Sequence, residues 1–271
     1  MTRHPIFLRR NGDPMANYGH LFLTGAGGGV GNHVARMWVK AGGTVSLFGR
    51  NQARLVATSE SLPSSSFLIV PGDSTKSEDL ESAIDQAKER FGTIDALAHC
   101  VGSIKLKPLH MATLADFDET LTINLRSAFL ATKAVLPTMR AQQGGSVVLV
   151  STVAARQGMN NHELIAAAKS GLEGLVRSAA ISYARTGIRF NAVAPGLTDT
   201  PLAAPLLSNE VSRNISEQIH PLGRLAKAEE VARLIVLLAG PEASFVTGQI
   251  WGVDGGLGCG VMPPRVTLKP N

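Results

Sequence analysis

The sequence predicts an α/β fold: a single doubly wound parallel sheet of about seven strands with helices on both faces. Three observations predict it. Short apolar runs alternate with helix-period segments from residue 20 to about 254. No long polar linker and no internal repeat interrupts them. A glycine-rich turn, TGAGGGVG, follows the first apolar run at 24–31.

HLFLT (20–24) reads as the first strand, 30–41 as a helix and TVSLF (44–48) as the second strand. A helix over Asn51–Glu60 and a Ser/Pro turn lead to the strand FLIV (67–70). Ser77–Phe91 reads as a helix with Ser77 as its N-cap, and IDALAHCV (94–101) as strand four. Two long helices follow, 114–141 and 161–184, separated by the strand SVVLVS (146–151). IRFNAVA (188–194) is strand six, and a Pro-, Leu- and Thr-containing loop runs from Pro195 to about Leu222. A helix at 228–239 and the strand QIWGVD (249–254) complete the sheet.

A chain of 271 residues can bury a large core. One domain is expected over 20–256, with 1–19 as an N-terminal extension and 257–271 as a basic, Pro-containing tail. Hydrophobic residues make up 44% and charged residues 17%, which fits a soluble globular protein and excludes disordered and fibrous classes. No apolar run is long enough to span a bilayer, so no membrane partner is expected. The net charge of +5 comes without a dense basic block, with its excess partly in Arg3, Arg9, Arg10, Arg265 and Lys269. Nucleic-acid binding is therefore not expected, whereas an anionic ligand suits the charge. Two cysteines, Cys100 and Cys259, supply neither a disulfide framework nor a metal cluster, so no metal is expected and a reducing cytoplasmic setting fits.

A glycine-rich turn between a strand and a helix lets the backbone approach a pyrophosphate, while the helix N-terminus offers free N–H groups. The same turn also serves as nothing more than a tight turn. The spacing here is TGxxxGxG, with Thr24, Gly25, Gly29 and Gly31 flanking Val30, and not GxGxxG. Strand two ends in Phe48-Gly49-Arg50. With no carboxylate to hold a ribose 2′-hydroxyl and an arginine able to pair with a 2′-phosphate, this end favours NADP over NAD. A solvated turn arginine is the alternative reading.

Residues 161–172, NHELIAAAKSGL, read as a helix place His162, Ile165 and Lys169 on one face. A lysine on so alanine-rich a helix calls for a partner, unless it snorkels to solvent.

Taken together, these residues resemble the short-chain dehydrogenase/reductase family over about 20–256, which implies a Rossmann-like NAD(P)-binding fold. TGAGGGVG matches the family's cofactor loop, and Asp73 matches the acid that contacts adenine. AHCVG (98–102) stands where the family has NNAG: Gly102 is kept, while His99 and Cys100 replace the asparagines. Asn124 matches the asparagine that helps hold a proton-relay water. NAVAPG (191–196), with Pro195, Gly196, Thr198 and Thr200, resembles the segment that meets the nicotinamide carboxamide, and VDGG (253–256) resembles the C-terminal signature.

The family's active centre is a serine, a tyrosine thirteen residues on, and a lysine four beyond it. Here those positions hold Thr152, Ile165 and Lys169. The hydroxyl and the lysine are kept, and the phenol that protonates the product is absent. The chain has only two tyrosines, Tyr18 before strand one and Tyr183 nearly four turns beyond Lys169. Lys169 is expected to hold the nicotinamide ribose.

The expected function is hydride transfer from NADP(H) to a carbonyl or activated C=C substrate with a non-tyrosine proton source. His162 is the candidate acid; it equally suits a helix-start residue beside the cap candidates Asn160 and Asn161. Thr152 and Asn124 are candidates to support an enolate oxygen. The alternative is an NADP-binding pseudoenzyme acting as a sensor, scaffold or partner subunit. The resemblance implies that the loop 196–222 closes over substrate. Leu197, Leu202, Leu206 and Leu207 suggest an apolar wall, and no basic cluster in the loop demands a phosphate-bearing substrate. A homodimer or homotetramer is expected, because the family pairs its two long helices across subunits and 161–184 has a small-residue face.

Overall fold

The computed structural model describes residues 18–260. It has a seven-stranded, all-parallel sheet in the order β3-β2-β1-β4-β5-β6-β9. In chain order the strands and helices are β1 (His20–Thr24), α1 (Gly29–Lys40), β2 (Thr44–Gly49), α2 (Gln52–Ser59), β3 (Phe67–Pro71), α3 (Ser77–Phe91) and β4 (Ala96–His99). Then come α4 (Leu114–Leu121), α5 (Ser127–Gln142), β5 (Gly145–Val150), α6 (Glu163–Tyr183) and β6 (Ile188–Pro195). The chain closes with β7 (Thr198–Asp199), α7 (Glu210–Gln218), β8 (Ala226–Lys227), α8 (Ala228–Ala239) and β9 (Ile250–Val253).

Successive side chains of a strand point to opposite faces, so each strand feeds two cores. Leu21 and Leu23 of β1, Val45 and Leu47 of β2, and Val148 of β5 pack on one face with Val34 and Trp38 of α1 and Ile235 of α8. Phe22, Phe48, Val147 and Leu149 pack on the other with Leu80 of α3, Val135 of α5 and Leu172 of α6. Helices thus cover both faces, and the parallel order reverses beside β1. The carboxyl ends of β1, β4, β5 and β6 therefore open on one crevice, where open α/β sheets bind ligands.

Several sequence expectations need correction. Ser77 is the first helical residue of α3, not its cap; Lys76 holds the cap position, and the Ser77 hydroxyl donates to Glu81 Oε1 at 2.8 Å. The expected helix 114–141 is α4 and α5 joined through a π-helical turn, Thr122–Arg126. The expected helix 161–184 begins at Glu163, because Asn161 is left-handed (φ +62°) and His162 takes the cap position without a side-chain cap bond. The stretch read as a loop from 195 to 222 holds β7, a 3₁₀ turn (Ala204–Leu207) and α7, whose N-cap Asn209 accepts from the Ser212 N–H at 2.9 Å. The basic residues of both tails lie outside the described residues, as does most of the expected extension 1–19.

Candidate active site

The turn after β1 is shaped by close backbone approach. Gly25 has φ +72°, and a Cβ there would lie 2.8 Å from the Cys100 carbonyl carbon. A Cβ on Gly31 would overlap the Gly25 carbonyl oxygen. Helix α1 starts at Gly29 with no side-chain cap and no acidic residue in its first turn, leaving its leading N–H groups to an anion. Gly29 lies beneath Thr200, whose Cγ2 would stand 2.9 Å from a Cβ at that position. Val30, Gly102, Pro195, Gly196, Thr198 and Thr200 all line the crevice beyond the turn. This glycine-lined cradle fits the diphosphate of a nicotinamide dinucleotide.

Thr24 is fully buried below the turn. The Ser127 hydroxyl donates to the Ile123 carbonyl, so it accepts from His99 Nε2 at 3.0 Å; His99 Nδ1 then accepts the Thr24 hydroxyl proton at 2.8 Å. Burial lowers the His99 pKa to about 3, which keeps this relay neutral. His99 thus ties β1 to α5.

At the outer edge Arg50 is exposed. Asp73 Oδ1 accepts from the N–H and hydroxyl of Thr75, each at 2.9 Å. Burial works to raise the Asp73 pKa; the Thr75 bonds and the nearby Arg50 and Lys76 charges outweigh it and bring the pKa down.

The π-helical turn carries Asn124, fully buried, whose amide donates to Ser103 Oγ at 2.9 Å and to the Thr120 carbonyl at 3.1 Å. Its carbonyl accepts from the Ser103 N–H at 3.0 Å. A Cβ on Gly102 would lie 3.2 Å from Asn124 Oδ1 and 3.8 Å from Lys169 Nζ, so the three residues converge. Lys169 is 4% exposed and donates to the Val150 carbonyl at 2.7 Å. Burial pulls its pKa down to about 8. Burial also pushes the Cys100 thiol up to about 12, partly offset by Lys169, so Cys100 is protonated at neutral pH. Thr152 Oγ1 accepts from the Ala154 N–H at 3.3 Å, which leaves its own proton to donate.

Ile165, 6% exposed, lines the same cavity as His162, Lys169, Thr152 and Asn124. His162 Nδ1 lies 2.7 Å from the Asn160 carbonyl oxygen, so Nδ1 carries a proton and Nε2 is the nitrogen free to exchange one. Neither Tyr18 nor Tyr183 lines this cavity. Tyr18 donates to Glu242 and packs edge-on against Trp38, and Tyr183 packs against Phe190 at the far end of α6. Asn160 and Asn161 precede α6 without capping it by side chain.

The cavity is about 440 Å³ and largely apolar. Leu197, Leu202 and Leu206 line it, as expected of the loop, and Leu207 does not. Ile104 and Leu106 line it from the segment after β4, while the alternate residues Lys105 and Lys107 turn away to Asp116. His220, missed in the sequence, ties the loop together. Its Nε2 accepts from the Leu197 N–H at 3.1 Å, so Nδ1 carries the proton and donates to the Ser216 carbonyl at 2.6 Å. A Cβ on Gly196 would lie 2.6 Å from that Nε2, so any larger residue there would have to push the His220 ring aside. The sole signal in the sequence was a histidine ahead of Pro221.

Among the described residues no group of three or more His, Cys, Asp or Glu side chains is placed to hold a metal, and no helix is long and apolar enough to cross a membrane.

Comparison with known proteins agrees with this geometry. The family model described as Enoyl-(Acyl carrier protein) reductase matches residues 25–258. The chain is 38% identical over 236 residues to cis-4-hydroxycyclohexanecarboxylate dehydrogenase of Sinomonas cyclohexanicum, covering 86% of this chain and 94% of that one. It is 34% identical over 238 residues to 3-oxoacyl-[acyl-carrier-protein] reductase of Thermotoga maritima, covering 87% and 96%. The crystal structure of levodione reductase superimposes with a TM-score of 0.84 at 32% identity, covering 90% of this chain and 99% of that one. A crevice at the switch point of a parallel sheet, a glycine cradle beside it and relatives that match nearly end to end lead to one conclusion: the chain belongs to the short-chain dehydrogenase/reductase family of oxidoreductases.

Proposed function

We propose that this chain is an NADP-dependent oxidoreductase that transfers hydride to a carbonyl or activated C=C substrate with a non-tyrosine proton source, His162 for a carbonyl and water for a C=C. The observation that carries the reading is the meeting of Asn124, Thr152, Lys169 and His162 on one cavity that Ile165 also lines. When bound, the nicotinamide supplies the hydride. Thr24, Gly25, Gly29, Val30 and Gly31 form the diphosphate turn, Arg50 takes the 2′-phosphate and Asp73 the adenine. Gly102, Lys169, Pro195, Gly196, Thr198 and Thr200 line the nicotinamide end.

For a carbonyl, the Thr152 hydroxyl donates to the substrate oxygen, and hydride addition to carbon leaves an alkoxide. Protonated His162 gives it the Nε2 proton, so one hydride and one proton yield the alcohol. The Lys169 cation makes the potential at the same oxygen more positive and so stabilises its negative charge. For an activated C=C, hydride adds to the β-carbon and Thr152 stabilises the enolate oxygen. Water protonates the α-carbon, so the phenol matters less.

A homodimer or homotetramer is part of the same proposal, supported by the exposed Leu114 and Phe129 on the α4–α5 face. So is a reducing cytoplasmic setting, supported by Cys100 and Cys259 being free.

The test is fluorescence titration of the purified protein with NADPH and NADH, followed by a screen of ketones and enones for NADPH consumption. Tight NADPH binding with turnover is expected. Binding without turnover would return the chain to a sensor or scaffold role.

A further inference from the structure

The cavity wall formed by α7 has a pattern that the hydride chemistry does not use. Ser212, Ile215, Ser216 and Ile219 recur at three- and four-residue steps, so they form one stripe, and all four line the cavity. Ile215 is 58% exposed and Ile219 41%, apolar side chains left uncovered at the cavity mouth. The Ser212 and Ser216 hydroxyls make no hydrogen bond among the described residues, whereas Ser182 on α6 bonds back to the Ser178 carbonyl. Two unpaired hydroxyls one turn apart, set between isoleucines, suit a ligand with an apolar body and an uncharged oxygen.

Charge points the same way. Among the described residues no arginine, aspartate or glutamate lines the cavity, and Lys169 is its only lysine. The cations nearest in sequence to the lining segments are spent elsewhere: Lys105 and Lys107 pair with Asp116, and Arg213 of α7 pairs with Asp199 at 3.2 Å. A carboxylate or phosphate seated against the Ser212–Ile219 stripe would lose its hydration there with no cation on that wall to replace it.

We infer that Ser212 and Ser216 select an uncharged substrate that carries a second neutral oxygen, such as a diketone or hydroxyketone, and that the cavity excludes carboxylates and phosphates. This rests on the hydride-transfer reading of the same cavity, and binding separates the two.

The experiment measures affinity by calorimetry on the protein saturated with NADP, using cyclohexane-1,4-dione, cyclohexanone and 4-oxocyclohexanecarboxylate. The dione is expected to bind about tenfold more tightly than the monoketone, as one or two added hydrogen bonds allow, and the carboxylate more weakly than either. In a Ser212→Ala/Ser216→Ala double variant the preference for the dione over the monoketone falls to about one. Serine to alanine on a helix favours folding, so loss of structure does not confuse the result. Equal binding of all three, tighter binding of the carboxylate, no binding of the dione, or a preference unchanged in the variant would each overturn the inference. NADPH consumption is followed in parallel. Selective dione binding without turnover sustains the inference and sinks the hydride reading; turnover of a tightly bound carboxylate does the reverse.

Discussion

Lys169 Nζ donates to the carbonyl oxygen of Val150 at 2.7 Å, so a buried ammonium bridges α6 and the carboxyl end of β5. One carbonyl does not replace the hydration of an ammonium, and burial accordingly lowers the pKa from its ordinary 10.5 to about 8.

That shift has a measurable sign. A lysine with a folded pKa below its unfolded one costs stability while it is charged, so the cost is full below about pH 8 and disappears as pH rises towards 10.5. Urea unfolding at about pH 7 and about pH 10 should show the wild type gaining, relative to Lys169→Met, on the order of 3 kcal/mol. Parallel profiles would refute the buried-cation assignment.

His99 sets the acid side. Burial holds its pKa at about 3 against an ordinary 6.5, so the unfolded chain takes up a proton the folded chain refuses. Stability is lost as pH falls from 6.5 towards 3, and His20, lowered to about 3 by burial, adds to the slope. A His99→Asn variant should unfold at lower pH than the wild type when followed by circular dichroism. An unchanged midpoint would mean that another group drives acid unfolding.

Arg50 is expected to set cofactor choice. Replacing it with alanine removes a charge-assisted pairing worth about 1.5–3 kcal/mol, so NADPH affinity should fall about 10- to 100-fold while NADH affinity changes little. Fluorescence titration of both cofactors reads the difference directly. Equal losses for the two would remove the 2′-phosphate role.

Much of this was legible in the sequence. Strand β1 and helices α3 and α8 have the expected bounds, because apolar period and turn chemistry are local signals. The π-helical turn was not legible, since Asn124 inserts there through Ser103, twenty-one residues away. Helix α7 was missed for a related reason: its apolar residues Ile215 and Ile219 border a cavity rather than a core. The resemblance supplied Asn124, Thr152 and Lys169 as a set, and the structure brings them to one cavity. His220, Ser212 and Ser216 depend on how 196–222 docks, which no local pattern encodes.

Ile165→Tyr would place a phenol one helical turn from Lys169. Because Ile165 lines the cavity, the larger ring has open space to enter. In a His162→Ala background the added phenol should raise ketone reduction by about 10²-fold or more, because it then supplies the lost proton. No gain would show that the pocket has diverged beyond this position.

The most direct test is the rate of NADPH consumption with a ketone substrate in the wild type and in His162→Ala, with NADPH affinity measured on both. If His162 replaces the phenol, the wild type turns over, the variant slows by about 10²–10⁴-fold, and the two bind NADPH equally. A variant as fast as the wild type would contradict the assignment of the proton to His162, and a wild type that binds NADPH yet never consumes it would contradict catalysis itself.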